Sequence, residues 1–265
     1  MATSAPGLPL TPPLKWAGGK RWLVPTLRSF WVPYRDYRLV EPFCGALSVT
    51  LGLQPARALC NDVNPHLIHF LQWLQRGLPV TISMRNDKEA FYAARARFNH
   101  LLATGQGGSA EAAQLTYYLN RTAYNGLHRQ NRRGEFNVPF GRYKTISYQT
   151  SFEAYRPVLA SWSFTCGSFE RVALKPDDFV YADPPYDVAF TQYSAGGFTW
   201  ADQIRLAEWL AQHPGPVIAS NQATARILDL YRTLGFHVET LWGPRRISRT
   251  GDRTPALEML ATRNL

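Results

Sequence analysis

Three runs along the chain concentrate β-branched, aliphatic and aromatic residues and then stop at a turn. They are "YRLVEPF" (37–43), "RALCNDV" (57–63) and "DFVYA" (178–182). Each has the length and composition of a buried strand. Between the first two lies "GALSVTLGL", which opens on glycine and reads as a helix. Strand, turn, helix, strand is the start of a parallel α/β sheet. The rhythm returns after about residue 150. "DFVYA" is followed by a helix capped by Thr199 and Asp202 and carrying Ile204, Ala207 and Leu210. Then come "PVIAS" as a strand, "ATARILDLYRTLG" as a helix and "FHVETLW" as a strand.

The middle of the chain has a different period. In "NDKEAFYAARARFNHLLATG", Asn86 and Glu89 have capping-box spacing. Phe91, Ala94, Phe98 and Leu101 then recur at helical intervals, with Gly105 past the end. "SAEAAQLTYYLNRTAYN" predicts a second helix. "GLHRQNRRGEFNVPFGRYK" is rich in Gly, Asn and Arg and suits a loop or hairpin. The expected organisation is an α/β domain formed by residues 1–64 and 151–265, with residues 1–12 a flexible Pro-rich tail. A mostly helical insert interrupts it at 65–150, with a hairpin near 124–143.

Charge narrows the class of partner. The formal net charge of the 265 residues is +10, which favours a polyanion, nucleic acid being the common one. The three cysteines, Cys44, Cys60 and Cys166, form no C-x-x-C pair. Neither a disulfide framework nor a zinc site is expected, and a reducing cytoplasm is the expected setting. His66 and His69 sit at i, i+3 without a third ligand nearby, so no metal is expected. The first residues lack the basic and apolar regions of a signal peptide, and no apolar stretch is long enough to span a bilayer.

Chemistry concentrates at strand ends. Proline cannot continue a central strand, so the "DFVYA" strand ends where "DPPY" begins and leaves Asp183 at its C-terminal edge. That edge is where open α/β sheets bind ligands. Asp183 and Pro184 each precede a proline and are held extended. This fixes the Asp183 carboxylate and the Pro184 carbonyl side by side, as two acceptors for the two N–H groups of an exocyclic amine. Tyr186 then offers a ring face to a planar base. Adenine N6 is a poor nucleophile because its lone pair is delocalised, and two acceptors on its hydrogens favour an attacking geometry. Cytosine N4 poses the same problem. "VEPFCGALSV" ends a strand at Glu41-Pro42-Phe43, and Gly45 permits close backbone approach. Asp62 lies 17 residues beyond Gly45 at the next strand end, where an acid binds ribose hydroxyls in nucleotide sites; the alternative is a helix cap ahead of "NPHLIHFLQWL". In "LKWAGGKRWLVP", Gly18-Gly19 reads as an anion-binding nest or as a turn flanked by solvated lysines. Residues 121–144 carry Arg121, Arg129, Arg132, Arg133, Arg142 and Lys144 against Glu135 alone, interleaved with Tyr124, Phe136, Phe140 and Tyr143. Arg and aromatic residues on a ribbon suit base contact and wedge insertion. Ser220 in "ASNQA" lacks the G-x-S-x-G context of a serine hydrolase.

Together, "LKWAGGK", "EPFCGALSV", "NRTAYNGLHRQNRRGEFNVPFGRYK", "DPPY" and "RRISRTGDRTPALEMLA" resemble, in content and order, the Dam family of DNA adenine-N6 methyltransferases of the D12 class. The resemblance covers nearly the whole chain. It implies a Rossmann-like S-adenosylmethionine-dependent methyltransferase sheet with an inserted helical DNA-recognition domain. It also implies methylation of adenine N6 in double-stranded DNA, with GATC as the usual target. By that resemblance S-adenosylmethionine contacts Trp16, Lys20, Asp62 and Asp183, with Phe43 and Gly45 lining its pocket. Asp183, the Pro184 carbonyl and Tyr186 hold a flipped adenine. Lys15 and Arg129 contact guanines, and Leu127 and Pro139 meet a thymine methyl. Tyr124 and Asn125 wedge into the opened duplex, while Arg121, Arg142 and Tyr143 position the phosphate backbone. The chain departs from the family at Ala46-Leu47, where a small residue and glycine are common, and at His128 and Gln130, which flank the recognition arginine. The competing readings are an N4-cytosine methyltransferase and a non-catalytic DNA-binding protein of the same fold. Nothing in the sequence calls for an obligate dimer, so a monomer is expected.

Overall fold

The computed structural model describes residues 10–187, 197–244 and 255–265. Its centre is a seven-stranded mixed sheet. In chain order the strands are β1 (Arg38–Glu41), β2 (Ala58–Asp62), β3 (Trp162–Cys166), β4 (Asp178–Ala182), β5 (Val217–Gln222), β6 (His237–Gly243) and β7 (Ala256–Arg263). The spatial order is β3-β2-β1-β4-β5-β7-β6. β1 to β5 pair in parallel, and β7 runs antiparallel between β5 and β6. The chain winds outward from β1 to β3 and then returns to the other side of β1 with β4. The switch point therefore lies between β1 and β4, whose C-terminal ends carry "EPFCG" and "DPPY".

Eight helices surround the sheet among the described residues: α1 (Val24–Trp31), α2 (Ser48–Leu53), α3 (Pro65–Gln75), α4 (Lys88–Ala103), α5 (Ala110–Thr122), α6 (Arg156–Leu159), α7 (Trp200–Ala211) and α8 (Ala225–Thr233). The central strands β1, β2, β4 and β5 are buried on both faces, as parallel strands with helices on both sides must be, while the edge strands β3 and β6 are partly exposed. Side-chain alternation separates the two faces. Leu39, Ala58, Cys60, Phe179, Tyr181, Ile218 and Leu260 pack with α1, α2, α3 and Tyr117 of α5. Val40, Leu59, Val180, Ala182, Val217, Ala219 and Met259 pack with Leu206, Leu210, Ile227 and Tyr231 of α7 and α8. A third core joins Phe91, Phe98 and Leu101 of α4 to Leu115, Tyr118 and Leu119 of α5 and to Phe136 and Val138 of the following loop.

Local signals set most boundaries, with informative exceptions. α4 starts one residue later than the Asn86 pattern predicts. Asp87 is the cap, accepting from Ala90 N at 2.8 Å, while Asn86 donates its amide to the Tyr143 carbonyl. α3 is capped by Asn64, which accepts from His66 N and Leu67 N, with Pro65 at the first helical position. Asp62 is thereby released from the capping role. Thr199 and Asp202 form the reciprocal capping box expected of them. No local sequence signal marks α1, β3 or β7. The predicted hairpin near 124–143 is a loop rather than a pair of strands. It is tied by Tyr124 N to Pro139 O, Asn137 N to Arg129 O, Asn131 N to Glu135 O and Gly141 N to Thr122 O, with isolated bridges at Ala123–Phe140 and Gln130–Phe136. Of the expected tail, residues 1–9 lie outside the described residues. Thr11 is pinned, its carbonyl accepting from the Tyr155 hydroxyl at 2.5 Å.

Candidate active site

At the end of β4, Asp183 sits between two donors. Lys20 Nζ lies 3.0 Å from both of its carboxylate oxygens. Ser220 Oγ of β5 donates to Oδ1 at 2.9 Å. Because the serine proton points to Asp183, the Tyr181 hydroxyl, 2.9 Å away, donates to Ser220 in turn. The pair is withdrawn from water, with the Lys20 side chain 4% exposed and that of Asp183 18%. Burial raises the Asp183 pKa above that of an ordinary aspartate, and Lys20 and Ser220 pull it back. Lys20 is therefore not a solvated lysine beside a glycine turn. Its ammonium also donates to the Gly18 carbonyl at 2.9 Å, where Gly18 has φ +80°, and stands 4.5 Å above the Tyr186 ring.

The rest of "DPPY" is held from behind. Gln203 of α7 donates to the Pro185 carbonyl at 2.8 Å and accepts from Asn221 at 3.0 Å. Asp187 pairs with Arg226. Tyr186 donates its hydroxyl to Glu258 Oε2 of β7 at 2.6 Å. Among the described residues, no group donates to the Pro184 carbonyl. Asp183 and Pro184 thus leave acceptor capacity beside an aromatic face, on a backbone restrained by two prolines and by Gln203.

The second half of the site follows β1 and β2. Gly45 has φ +47° and Leu47 φ +64°, a sharp turn that brings Gly45 N to Asp62 Oδ2 at 3.2 Å. The other Asp62 oxygen accepts from Asn64 N at 2.9 Å. A Cβ on Gly45 would lie 3.1 Å from the Trp16 ring, so the indole rests directly on this turn. Phe43 packs between Phe169 and Phe198, with both ring centroids 5.7 Å away. Glu41, at the end of β1, is buried, and its Oε1 has no hydrogen-bond partner. Burial, and the Asp183 charge, push its pKa up to about 8.

A methionine-bearing nucleoside fits these residues. Asp62 keeps lone pairs for vicinal hydroxyls, the Gly45 turn is open to close approach, Trp16 covers a flat face, and Glu41 Oε1 lacks a donor that an ammonium would supply. Two residues without a role assigned from sequence help to build the site. Asn61 donates its amide to Pro42 O at 3.0 Å and Gly167 O at 2.9 Å, tying the loops after β1 and β3 together. Ser220, set aside as a nucleophile, orients Asp183. The serine had no motif to mark it, because its partner is 37 residues away.

The basic loop lies beside this pocket. Lys15 shares both of its backbone groups with Asn120 of α5, at 2.8 Å each, and Asn120 also donates to Gly126 O at 2.9 Å. A Cβ on Gly126 would fall 2.6 Å from the Lys15 side chain, so glycine is required there. The Lys15 ammonium lies 4.2 Å from the Tyr143 ring centroid. Tyr124 is 53% exposed, and Asn125 and Arg142 are exposed with positive φ. Arg129 is exposed and donates to Asn137 Oδ1 at 2.8 Å, and Leu127 is half-buried. A cleft of about 340 Å³ between Tyr124, Pro139, Phe140 and Arg142 is completed by Lys88 and Tyr92 of α4. Arg121 stands apart from this face, its guanidinium donating to Pro13 O at 2.6 Å against the Tyr117 ring.

Residues 16–246 match the model of the D12 class N6 adenine-specific DNA methyltransferases. The chain belongs to that family. It is 36% identical over 270 residues to a DNA adenine methylase of Vibrio cholerae, covering 94% of each chain. It is 35% identical over 269 residues to the DNA adenine methylase of Escherichia coli, covering 94% of this chain and 93% of that one. The retron Ec67 DNA adenine methylase of Escherichia coli is 34% identical over 237 residues, covering 84% and 81%. The protein is an adenine-specific DNA methyltransferase. Among the described residues, no helix is long and apolar enough to cross a membrane, and no cluster of three His, Cys, Asp or Glu side chains is placed to hold a metal.

Proposed function

We propose that this enzyme takes its methyl group from S-adenosylmethionine and delivers it to N6 of an adenine flipped out of double-stranded DNA, with GATC as the target. The observation that carries the reading is Asp183, oriented by Lys20 and Ser220 next to a Pro184 carbonyl that has no donor among the described residues and beside the Tyr186 ring. The cofactor supplies an electrophilic methyl on a sulfonium. Trp16, Lys20, Phe43, Gly45 and Asp62 hold and enclose it, and Glu41 receives its ammonium. The adenine ring stacks on Tyr186, and its N6 donates one hydrogen to Asp183 and the other to the Pro184 carbonyl. Loss of conjugation between the nitrogen and the ring directs the lone pair toward the methyl; the N–C bond would form as the S–C bond breaks to leave a neutral thioether, the proton that N6 sheds would leave along its hydrogen bond to Asp183, and positioning supplies much of the acceleration.

In the same reading, the insert at 65–150 is the target-recognition unit. Lys15 and Arg129 read guanines, Leu127 and Pro139 meet a thymine methyl, and Tyr124 and Asn125 fill the gap left by the flipped base. Arg142 and Tyr143 bind phosphates, with Arg121 acting on the backbone from the N-terminal side. The enzyme works as a monomer on DNA in the cytoplasm.

The test is incubation with labelled S-adenosylmethionine and two duplexes, one containing GATC and one with the site scrambled. Label in the GATC duplex alone, recovered from a hydrolysate as N6-methyladenine, is the expected result. Label in both duplexes would discard the four-base target, and N4-methylcytosine would discard the base. Asp183→Ala is expected to abolish transfer while the folded protein still binds DNA; substantial turnover by that variant would sink the role given to the carboxylate.

A further inference from the structure

Tyr186 is held at its far end by a residue outside the motif that contains it. Its hydroxyl donates to Glu258 Oε2 at 2.6 Å, across 72 residues of sequence. Glu258 lies on β7, in register with Gln222 of β5 and Leu241 of β6. Its position in the alternation matches that of Leu260, which faces the first core. The carboxylate therefore emerges on the face where the segment 15–22 crosses the sheet. Room for it depends on Gly243 of β6. A Cβ there would stand 2.6 Å from Glu258 Oε1 and 2.9 Å from the Trp22 ring.

We propose that Glu258 is a positioning residue for methyl transfer, anchoring the hydroxyl end of the Tyr186 ring so that the flipped adenine stacks at the depth where its N6 meets Asp183 and the Pro184 carbonyl. This rests on the reading that Tyr186 carries the base. A tyrosine after two prolines has a fixed backbone, but its ring still swings about χ1, and a contact at the hydroxyl arrests that swing; because the hydroxyl lies on the χ2 axis, the tilt of the ring is set instead by the Lys20 ammonium over its face. A bond from a phenol to a carboxylate is short and stronger than one between neutral groups. The same bond places negative charge at the hydroxyl end of the ring, while the Lys20 ammonium sits 4.5 Å from its centroid, so the ring is held from two directions. The missing side chain at Gly243 leaves the space that the Glu258 carboxylate occupies.

The test combines Glu258→Gln, Glu258→Leu, Tyr186→Phe and Tyr186→Ala with the double variant Glu258→Leu/Tyr186→Phe. Each is measured for single-turnover methylation at saturating cofactor, for S-adenosylmethionine affinity, and for the fluorescence of 2-aminopurine placed at the target position. A displaced ring is expected to lower the Glu258→Leu single-turnover rate roughly 10- to 100-fold. Cofactor affinity should stay the same and the 2-aminopurine signal should change. Glu258→Gln, which keeps an acceptor of the same size, should recover most of the rate. Tyr186→Phe should lose about as much as Glu258→Leu, and the double variant no more than either alone. Losses that multiply in the double variant, or a Glu258→Leu defect confined to cofactor affinity, would overturn the proposal while Tyr186→Ala remained inactive. Tyr186→Ala methylating at the normal rate would instead overturn the reading that this ring carries the base, and the role of Glu258 with it. Should Glu258→Leu not fold, the same non-additivity is read from Glu258→Gln in the Tyr186→Phe background.

Discussion

Two carboxylates near the switch point show how placement changes a residue's chemistry. Asp183 and Glu41 both lie at strand ends, yet Asp183 has Lys20 and Ser220 as donors while Glu41 Oε1 has none. The Glu41 pKa, about 8 in the folded protein, stands well above its ordinary value of 4.5. A carboxyl group raised in this way contributes stability below its unfolded pKa and loses it as pH rises through the folded value. The cofactor-free enzyme should therefore become less stable between about pH 4.5 and pH 8 by up to roughly 5 kcal/mol from this group alone. Glu41→Gln should flatten that slope in thermal unfolding followed across the range. A slope that persists in the variant would show that other groups set it. His66 and His128 act in the opposite sense. Burial holds them down to about 4 and 3, helped by the His69 charge at His66 and by the His66 charge at His128, so their contribution is lost on the acid side, as pH falls from about 6.5.

At the level of elements, α5 does more than fill the insert. Its Tyr117 packs in the core under the sheet, its Tyr118 packs in the core of the insert, and Asn120 near its end holds Lys15 and the Gly126 turn together. One helix thus links the sheet to Lys15 and the loop proposed to read the target. Asn120→Ala removes three hydrogen bonds in a buried setting and leaves backbone groups unpaired. The expected loss is about 2–3 kcal/mol of stability. Affinity for a GATC duplex should fall well before affinity for S-adenosylmethionine, because Trp16 still rests on the Gly45 turn. Denaturant unfolding and separate titrations of DNA and cofactor would check it. Equal losses for both ligands would mean that Asn120 supports the fold and nothing more specific.

For the whole molecule, the +10 charge and the exposed arginines of residues 121–144 imply binding that is largely electrostatic. Affinity for duplex DNA should fall at least about tenfold between 50 and 200 mM salt, from the counterions that phosphate contacts release. The Glu258 variants should leave that slope unchanged, since their effect lies at the base and away from the phosphates. A salt-independent affinity would point to a contact surface other than the basic loop.

The sequence by itself determined the parts governed by neighbouring residues. The strands ending at Glu41, Asp62 and Ala182 were readable from composition and from the turn residues that stop them. Proline chemistry alone placed Asp183 at a strand end with its neighbour's carbonyl fixed, and the order of motifs carried the family. Some local signals misled, as where Asp87 displaced Asn86 as a cap and Asn64 displaced Asp62. These choices turn on which of two adjacent polar side chains meets a free backbone N–H, and that depends on how the helix packs. Tertiary structure alone decided the contacts across long stretches of chain: Lys20 with Asp183, Ser220 with Asp183, Lys15 with Asn120, and Tyr186 with Glu258. None has a periodic signature, because each pair meets only when separate strands and segments are brought together over one sheet edge. β7 shows the same limit at the scale of an element. "ALEMLATR" alternates poorly because it is buried between two neighbours, so only the sheet shows that its single acid points toward the tyrosine.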